Sequence, residues 1–205
     1  VIHTVIVGDY RRERMASQLY CTVDADYMSM DNGKLGCRGN HLQAWQWHAD
    51  HPTEWSVTLE DDALPVENFL DQVGAALAVA PTPIVSLYLG RGSVGDTYTA
   101  AHLRRAEHIG ANWLVGAGPH HAVALALRSE LVESMIDGVQ RSRLAIDHAM
   151  SAWARRSGHQ TAYCVPSLVD HRDTPSLVSR YRRAPRVAWR VGTRKEWNDS
   201  AMSMV

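Results

Sequence analysis

Apolar residues along the chain come in short β-branched runs, separated by longer stretches in which they recur three and four residues apart. That pattern predicts strands alternating with helices. His3 to Val7 reads as a first strand ending at Gly8-Asp9, and Arg11 to Leu19, with Met15 and Leu19 at helical spacing, as the following helix. Leu19 to Val23 reads as a second short strand closing on Asp24-Ala25-Asp26, and Met28 to Gly36, which contains Asp31-Asn32-Gly33, as a loop. Leu35 to His48 is predicted helical, Pro52 breaks it, and Trp55 to Leu59 is predicted to be a buried strand. An Ala/Val/Leu-rich helix from about Val66 to Val79 stops at Pro81 and Pro83; Ile84 to Leu89 is a further strand and Gly90 to Ala100 a surface loop. Ala122 to Leu127 (strand), a helix capped by Ser129 and running through Ile136, Ala145 to Ser157 (helix) and Ala162 to Val165 close the ordered pattern.

This alternation implies an α/β fold, a mostly parallel sheet with helices on both faces in a right-handed winding. A length of 205 residues suits one full-sized core. No run approaches the ~18 apolar residues of a membrane span, and Val1 to Val7 passes into Gly8-Asp9-Tyr10-Arg11 without a cleavage pattern, so neither insertion nor signal-peptide secretion is expected. With 21 basic and 22 acidic residues the formal net charge is -1, which gives the whole molecule no field for phosphate polymers or anionic lipid. Cys21, Cys37 and Cys164 are odd in number and lack a C-x-x-C spacing, which favours a reducing, cytoplasmic setting over a disulfide framework or a four-thiolate zinc site. Composition shifts after Pro166 toward Arg and Pro, and the chain divides into a catalytic domain over 1–178 and an Arg-rich tail over 179–205.

Directly after the predicted strand Trp55 to Leu59 stands Glu60-Asp61-Asp62. Three adjacent carboxylates at the end of a buried strand repel one another and are costly to desolvate unless a cation compensates them. Under a period of two, Glu60 and Asp62 face the same way and can converge on one hard divalent cation, while Asp61 turns aside. A solvated turn capping the next helix is the competing account of the same residues.

Two motifs resemble glycosyltransferase family 25, the lipooligosaccharide-type galactosyl- and glucosyltransferases. Gly36-Cys37-Arg38-Gly39-Asn40-His41 is similar to the family's G-C-x-x-S-H element, with Asn40 in place of Ser, and Trp55 to Pro65 resembles its strand ending in L-E-D-D before a proline. Val5 to Arg14, Gly116 to Met135, Ile146-Asp147 and Pro166 to Val178 resemble further family segments in the same order. The resemblance implies a glycosyltransferase A-type, Rossmann-like fold in which the acidic motif holds Mn²⁺ or Mg²⁺ on the diphosphate of a nucleotide sugar, with a UDP-hexose the favoured donor. It implies Asp62 and Glu60 as metal ligands and His171, in the closing segment, as a third. Family members invert, so a carboxylate must deprotonate the acceptor hydroxyl; Asp147, at a predicted helix start, is the candidate, and an ordinary first-turn helix charge is its alternative.

On the donor side, Asp9, Arg11, Arg12 and Asp24 stand at the ends of the first two predicted strands, where sheets of this class bind nucleotides, with Asp61 beside them. His41 is expected to fix the loop under the site, and His120-His121 make a poor metal pair because neighbours on a strand point apart. Trp45, Trp47 and Trp55 are expected mostly in the core. The acceptor is a hydroxyl on a glycan or protein, with DNA carrying hydroxymethylated bases as the alternative, because Arg172, Arg180, Arg182, Arg183, Arg186, Arg190, Arg194 and Lys195 are interleaved with Tyr181 and Trp189. These arginines could equally cover the domain surface or close over the donor diphosphate. A non-catalytic nucleotide-sugar-binding module and a metal-dependent phosphohydrolase are the other readings.

Overall fold

The computed structural model of the protein describes residues 1–91, 96–175, 177 and 185–204. In chain order its elements are β1 (Ile2–Asp9), α1 (Glu13–Thr22), β2 (Tyr27–Asp31), α2 (Gly36–Asp50), β3 (Trp55–Glu60), β4 (Ala63–Pro65), α3 (Phe69–Ala78) and β5 (Ile84–Ser86). There follow α4 (Asp96–Ile109), β6 (Trp113–Gly116), β7 (Ala124–Arg128), α5 (Val132–Gln140), α6 (Ile146–Arg156), β8 (Thr161–Cys164), β9 (Val169–His171) and β10 (Ala201–Ser203). Single 3-10 turns at Tyr10–Arg12 and Ser129–Leu131 lead into α1 and α5.

Eight strands make one sheet in the order β10-β6-β8-β5-β7-β3-β1-β2, and β4 pairs with β9 in a separate two-stranded ribbon. Four of the seven pairings in the large sheet are parallel, β1 with β2, β1 with β3, β5 with β8 and β10 with β6. The strand β7 runs against both neighbours, β3 and β5, and β6 runs against β8.

Alternation along the strands sends side chains to two different helix layers. Ile6 of β1 packs in one core with Ala16 and Leu19 of α1 and Phe69, Val73 and Leu77 of α3, whereas Val5 and Val7 pack on Ala44 of α2. In β7, Ala124 and Ala126 join the first core, while Leu125 and Leu127 face Trp45 of α2, Val132 and Met135 of α5, and Met150 and Trp153 of α6. The α/β architecture with helices on both faces is therefore as the pattern predicts. One close approach needs a glycine: a Cβ on Gly8 would stand 2.9 Å from Ala16 Cβ and 3.0 Å from Met30 Cε.

Several elements differ from the sequence expectation. Leu19 to Val23 is the end of α1 and its cap rather than a strand, because Ala16, Leu19 and Val23 share one buried helical face. The second strand is instead Tyr27–Asp31, inside the stretch read as a loop; its two buried residues, Ser29 and Asp31, are polar, and Met28 and Met30 on the other face are only partly buried against the first core. Asp96–Ile109 is a helix where a loop was expected to run to Ala100, with Thr99, Leu103 and Ala106 on its buried side. Ordered structure also continues past Val165, through β9 and β10.

Within 185–204 the chain is fastened to the domain. Trp189 N donates to Leu89 O, Gly192 N to Ser167 O, and β10 adds to the sheet edge at β6. Arg194 donates from Nε to Val165 O (2.6 Å) and from Nη2 to Ala111 O (2.9 Å). Arg190 Nε donates to Glu107 Oε1 (2.9 Å), and the Arg91 guanidinium lies 4.6 Å from the Trp189 ring centre. Arg180, Tyr181, Arg182 and Arg183 lie outside the described residues. Among the described residues no helix is long and apolar enough to cross a membrane.

Candidate functional site

The register that pairs Asp9 with Asp31 and Val7 with Glu60 brings the carboxyl ends of β1, β2 and β3 to one edge of the sheet. Because β7 is antiparallel to β3, with Leu59 opposite Ala124, the residues entering β7 reach that same edge. The first turns of α2 and α6 close the space from the helical side. The result is a cleft of about 620 Å³ lined by Asp9, Arg11, Arg12, Asp31, Cys37, Asn40, His41, Glu60, Asp61, Asp62, His121, Ile146, Asp147 and Arg186.

Two of its lining residues, Glu60 and Asp62, cluster with His171, one ligand-type atom from each of the three lying within 4.8 Å of the others. These are the three residues expected to ligate a cation, brought together from β3, the turn after it and β9. The β4–β9 pairing fixes their approach, with Ala63 opposite His171, and Arg172 N donates to Asp62 O at 2.8 Å. His171 and Asp62 are 1% and 2% exposed. His171 Nε2 stands 3.3 Å from Asp62 Oδ1, yet neither that oxygen nor either His171 nitrogen has a hydrogen-bond partner. Burial lowers the His171 pKa against the pull of Asp62, which favours the neutral imidazole that a metal requires. Buried, unpartnered polar atoms of this kind are costly, and a divalent cation would satisfy Asp62 Oδ1 and one His171 nitrogen at once. Two carboxylates and an imidazole fit Mn²⁺ or Mg²⁺.

Asp61 and Asp62 share a cation of the chain's own. Arg12 Nη1 donates to Asp62 Oδ2 (2.5 Å) and Asp61 Oδ1 (3.1 Å), and Arg12 Nη2 to Pro175 O (2.6 Å). Burial opposes the Arg12 charge, but the bond to Asp61 and the charge of Asp62 hold its pKa above the usual guanidinium value. Asp61 turns away from the cluster, as the period of two predicts, and accepts from Asp9 N at 2.9 Å through Oδ2. Burial pushes its pKa up to about 6.

Glu60 is tied from the other side by His41 Nε2, 3.0 Å from Oε1. Burial raises Glu60, but the His41 bond and charge outweigh it and leave the carboxyl below its ordinary pKa. Burial likewise opposes a charge on His41, yet bonds to Cys37 and Glu60 carry its pKa to about 10. His41 thus holds Glu60, the last residue of β3, whereas the expectation put it under a loop. Asn40 locks the same corner: its Nδ2 donates to Gly8 O (2.7 Å) and Ser29 O (3.2 Å), and its Oδ1 accepts from Ser29 Oγ (2.6 Å).

Of the donor-side residues, Asp9, Arg11, Arg12 and Asp61 line the cleft. Arg11 closes on Asp9 through Nε (2.8 Å) and Nη2 (2.7 Å), and that bond lowers the Asp9 pKa. Asp24 does not belong there. It is exposed, with φ of 46°, in the turn between α1 and the start of β2, at the opposite end of the strand from the cleft. Its expected position depended on reading Leu19 to Val23 as a strand. The residue that β2 does deliver is Asp31, whose Oδ1 accepts from the backbone N of Gly33, Lys34 and Leu35, each at 2.9 Å.

Asp147 is in the first turn of α6, half-buried on the cleft wall, with Oδ1 accepting from His148 N at 2.7 Å. Two cleft residues were weighed in the sequence reading only as part of a dipeptide and of a charge run, neither being placed in the cleft. His121 stands edge-on to Tyr88 at 5.3 Å with Nε2 unpartnered, and burial takes its pKa to about 4. Arg186 comes from the Arg-rich tail, and its buried Nε has no hydrogen-bond partner. The His120-His121 dipeptide and the tail's charge run are the signals that could have pointed to them.

No family model and no curated protein matches the chain. Among solved structures, the crystal structure of A197 from STIV matches at 12% identity with a TM-score of 0.45, over 95% of this chain and 98% of that chain.

Proposed function

We propose that the protein is a metal-dependent inverting glycosyltransferase that moves a hexose from a nucleotide sugar, UDP-linked by the family resemblance, to a hydroxyl on a glycan or protein. The observation that carries this reading is the buried, unpartnered Asp62–His171 pair beside Glu60, with Glu60 and Asp62 lining the same cleft as Asp147. The similarity of Gly36–His41 and Leu59–Asp62 to glycosyltransferase family 25 supports it.

Glu60, Asp62 and His171 would hold Mn²⁺ or Mg²⁺, which when bound supplies Lewis-acid stabilisation of the departing diphosphate without a proton donor. Arg186 and Arg12 add fixed positive charge along the same wall. Asp9 and Asp31, at the ends of adjacent parallel strands, flank the part of the cleft suited to the nucleoside. The Asp147 carboxylate takes the acceptor's hydroxyl proton as that oxygen attacks the anomeric carbon from the face opposite the diphosphate. The bond from that carbon to the phosphate oxygen breaks with its electron pair going to the nucleoside diphosphate, which inverts the configuration.

The test is mass spectrometry of products after incubation with a panel of nucleotide sugars and acceptors, with and without chelator. Metal-dependent mass gain of one hexose on an acceptor supports the reading. Donor binding with neither transfer nor donor hydrolysis would instead identify a non-catalytic binding module.

A further inference from the structure

Glu60 belongs to a second cluster as well, in which one ligand-type atom from each of Cys37, His41 and Glu60 lies within 4.8 Å of the others. Cys37 and His41 are four residues apart in the first turns of α2, so their side chains stack on one helix face. Cys37 is exposed at the cleft wall and His41 is 1% exposed beneath it. His41 Nε2 stands 3.0 Å from Glu60 Oε1, so an ion entering between them takes the place of the proton they share.

We propose that Cys37, His41 and Glu60 form a binding site for a thiophilic divalent ion of the zinc class, separate from the harder cation site at Glu60, Asp62 and His171. A thiolate, an imidazole and a carboxylate are the donor set that zinc takes, and bonds of 2.0–2.3 Å at tetrahedral angles put ligand atoms about 3.5 Å apart. The 3.0 Å between His41 Nε2 and Glu60 Oε1 is already of that order. Mg²⁺ has no use for a thiolate, so the harder ion is kept out of the Cys37 cluster. With three protein ligands and an exposed thiol, the fourth position opens to the cleft. A zinc-class ion there draws on Glu60 and withdraws it from the other cluster, so it opposes the metal-dependent transfer proposed above. That consequence rests on the transfer reading; the site itself does not.

The test uses the full chain and two probes, Co²⁺ and Zn²⁺. Co²⁺ should produce a thiolate-to-cobalt charge-transfer band in the wild type and in Asp62→Asn, and none in Cys37→Ser. Zn²⁺ should slow iodoacetamide alkylation of Cys37 by about tenfold or more while leaving Cys21, exposed on α1 and outside either cluster, unchanged. A cobalt band that persists in Cys37→Ser, no band in the wild type, or equal effects of zinc on Cys37 and Cys21, would overturn the proposal. A protein that shows the band and the protection but transfers no sugar would leave this site standing and remove the transferase reading alone.

Discussion

Asp62 has two oxygens with different duties: Oδ2 accepts from Arg12 Nη1, and Oδ1 faces His171 with no partner of its own. Asp62→Asn keeps the side chain's volume and one acceptor for Arg12 but removes the anionic ligand. Metal-stimulated donor turnover should then fall at least about a hundredfold with the circular-dichroism spectrum unchanged. Undiminished turnover by the wild type in excess chelator, with metal removal verified, would exclude the assignment. Asp147 makes a different prediction, since it stands in a helix first turn away from the cluster. Asp147→Asn should bind donor normally and transfer about 10²-fold more slowly, and normal transfer would eliminate it as the base. His48 supplies a pH test remote from the chemistry. It is fully buried, its Nε2 donates to Val57 O at 3.1 Å, and burial lowers its pKa from 6.5 to about 4. Between those values the unfolded chain binds a proton that the folded one does not, so its contribution is complete above pH 6.5 and is lost as pH falls toward 4. The full effect is at most about 3 kcal/mol. His48→Gln should flatten the slope of urea-derived stability near pH 5 by about 1.4 kcal/mol per pH unit, and an unchanged slope would remove His48 as its source.

At the scale of elements, two glycines in helices should respond oppositely to the same change. A Cβ on Gly74, in α3, meets nothing within 4 Å, so Gly74→Ala should stabilise the protein by about 0.5–1 kcal/mol through backbone entropy. A Cβ on Gly138, in α5, would stand 2.6 Å from Trp153 Cδ1, so Gly138→Ala should cost about 1–3 kcal/mol by forcing α6 away. Thermal melts of the two variants check both signs. The same scale shows what could be read from the chain. β3 announces itself because all but its last residue are buried, and α2 because Pro52 marks its end. β2 does not, since it is an edge strand whose buried positions, Ser29 and Asp31, are polar and satisfied by Asn40 and by the backbone of the following turn. Leu19 to Val23 looks like a strand locally, and only its phase with Ala16 reveals the helix. β10 carries no pattern at all: it is held by backbone pairing to β6, and two of its three side chains are exposed.

Over the whole molecule, the acidic triplet was legible because three charges follow a buried strand, a local conflict that a bound cation resolves. His171 came only through the family resemblance, because 109 residues separate it from Asp62 and the β4–β9 ribbon that joins them has three residues per strand. Arg186 was visible as charge but not as a cleft residue, and Asp24 was misplaced by the same error that hid β2. The fold brings the ends of β1, β2, β3 and β9 and the first turns of α2 and α6 around one cleft, and the functional reading stands on whether its floor holds a cation. The most direct measurement is titration of the protein with Mn²⁺, followed by the electron paramagnetic resonance of free Mn²⁺, with and without UDP, for the wild type and Asp62→Asn. The wild type should bind a single Mn²⁺ about tenfold or more tightly with UDP present, and Asp62→Asn should lose that binding. Equal Mn²⁺ affinity in the two proteins, unaffected by UDP, would contradict the account.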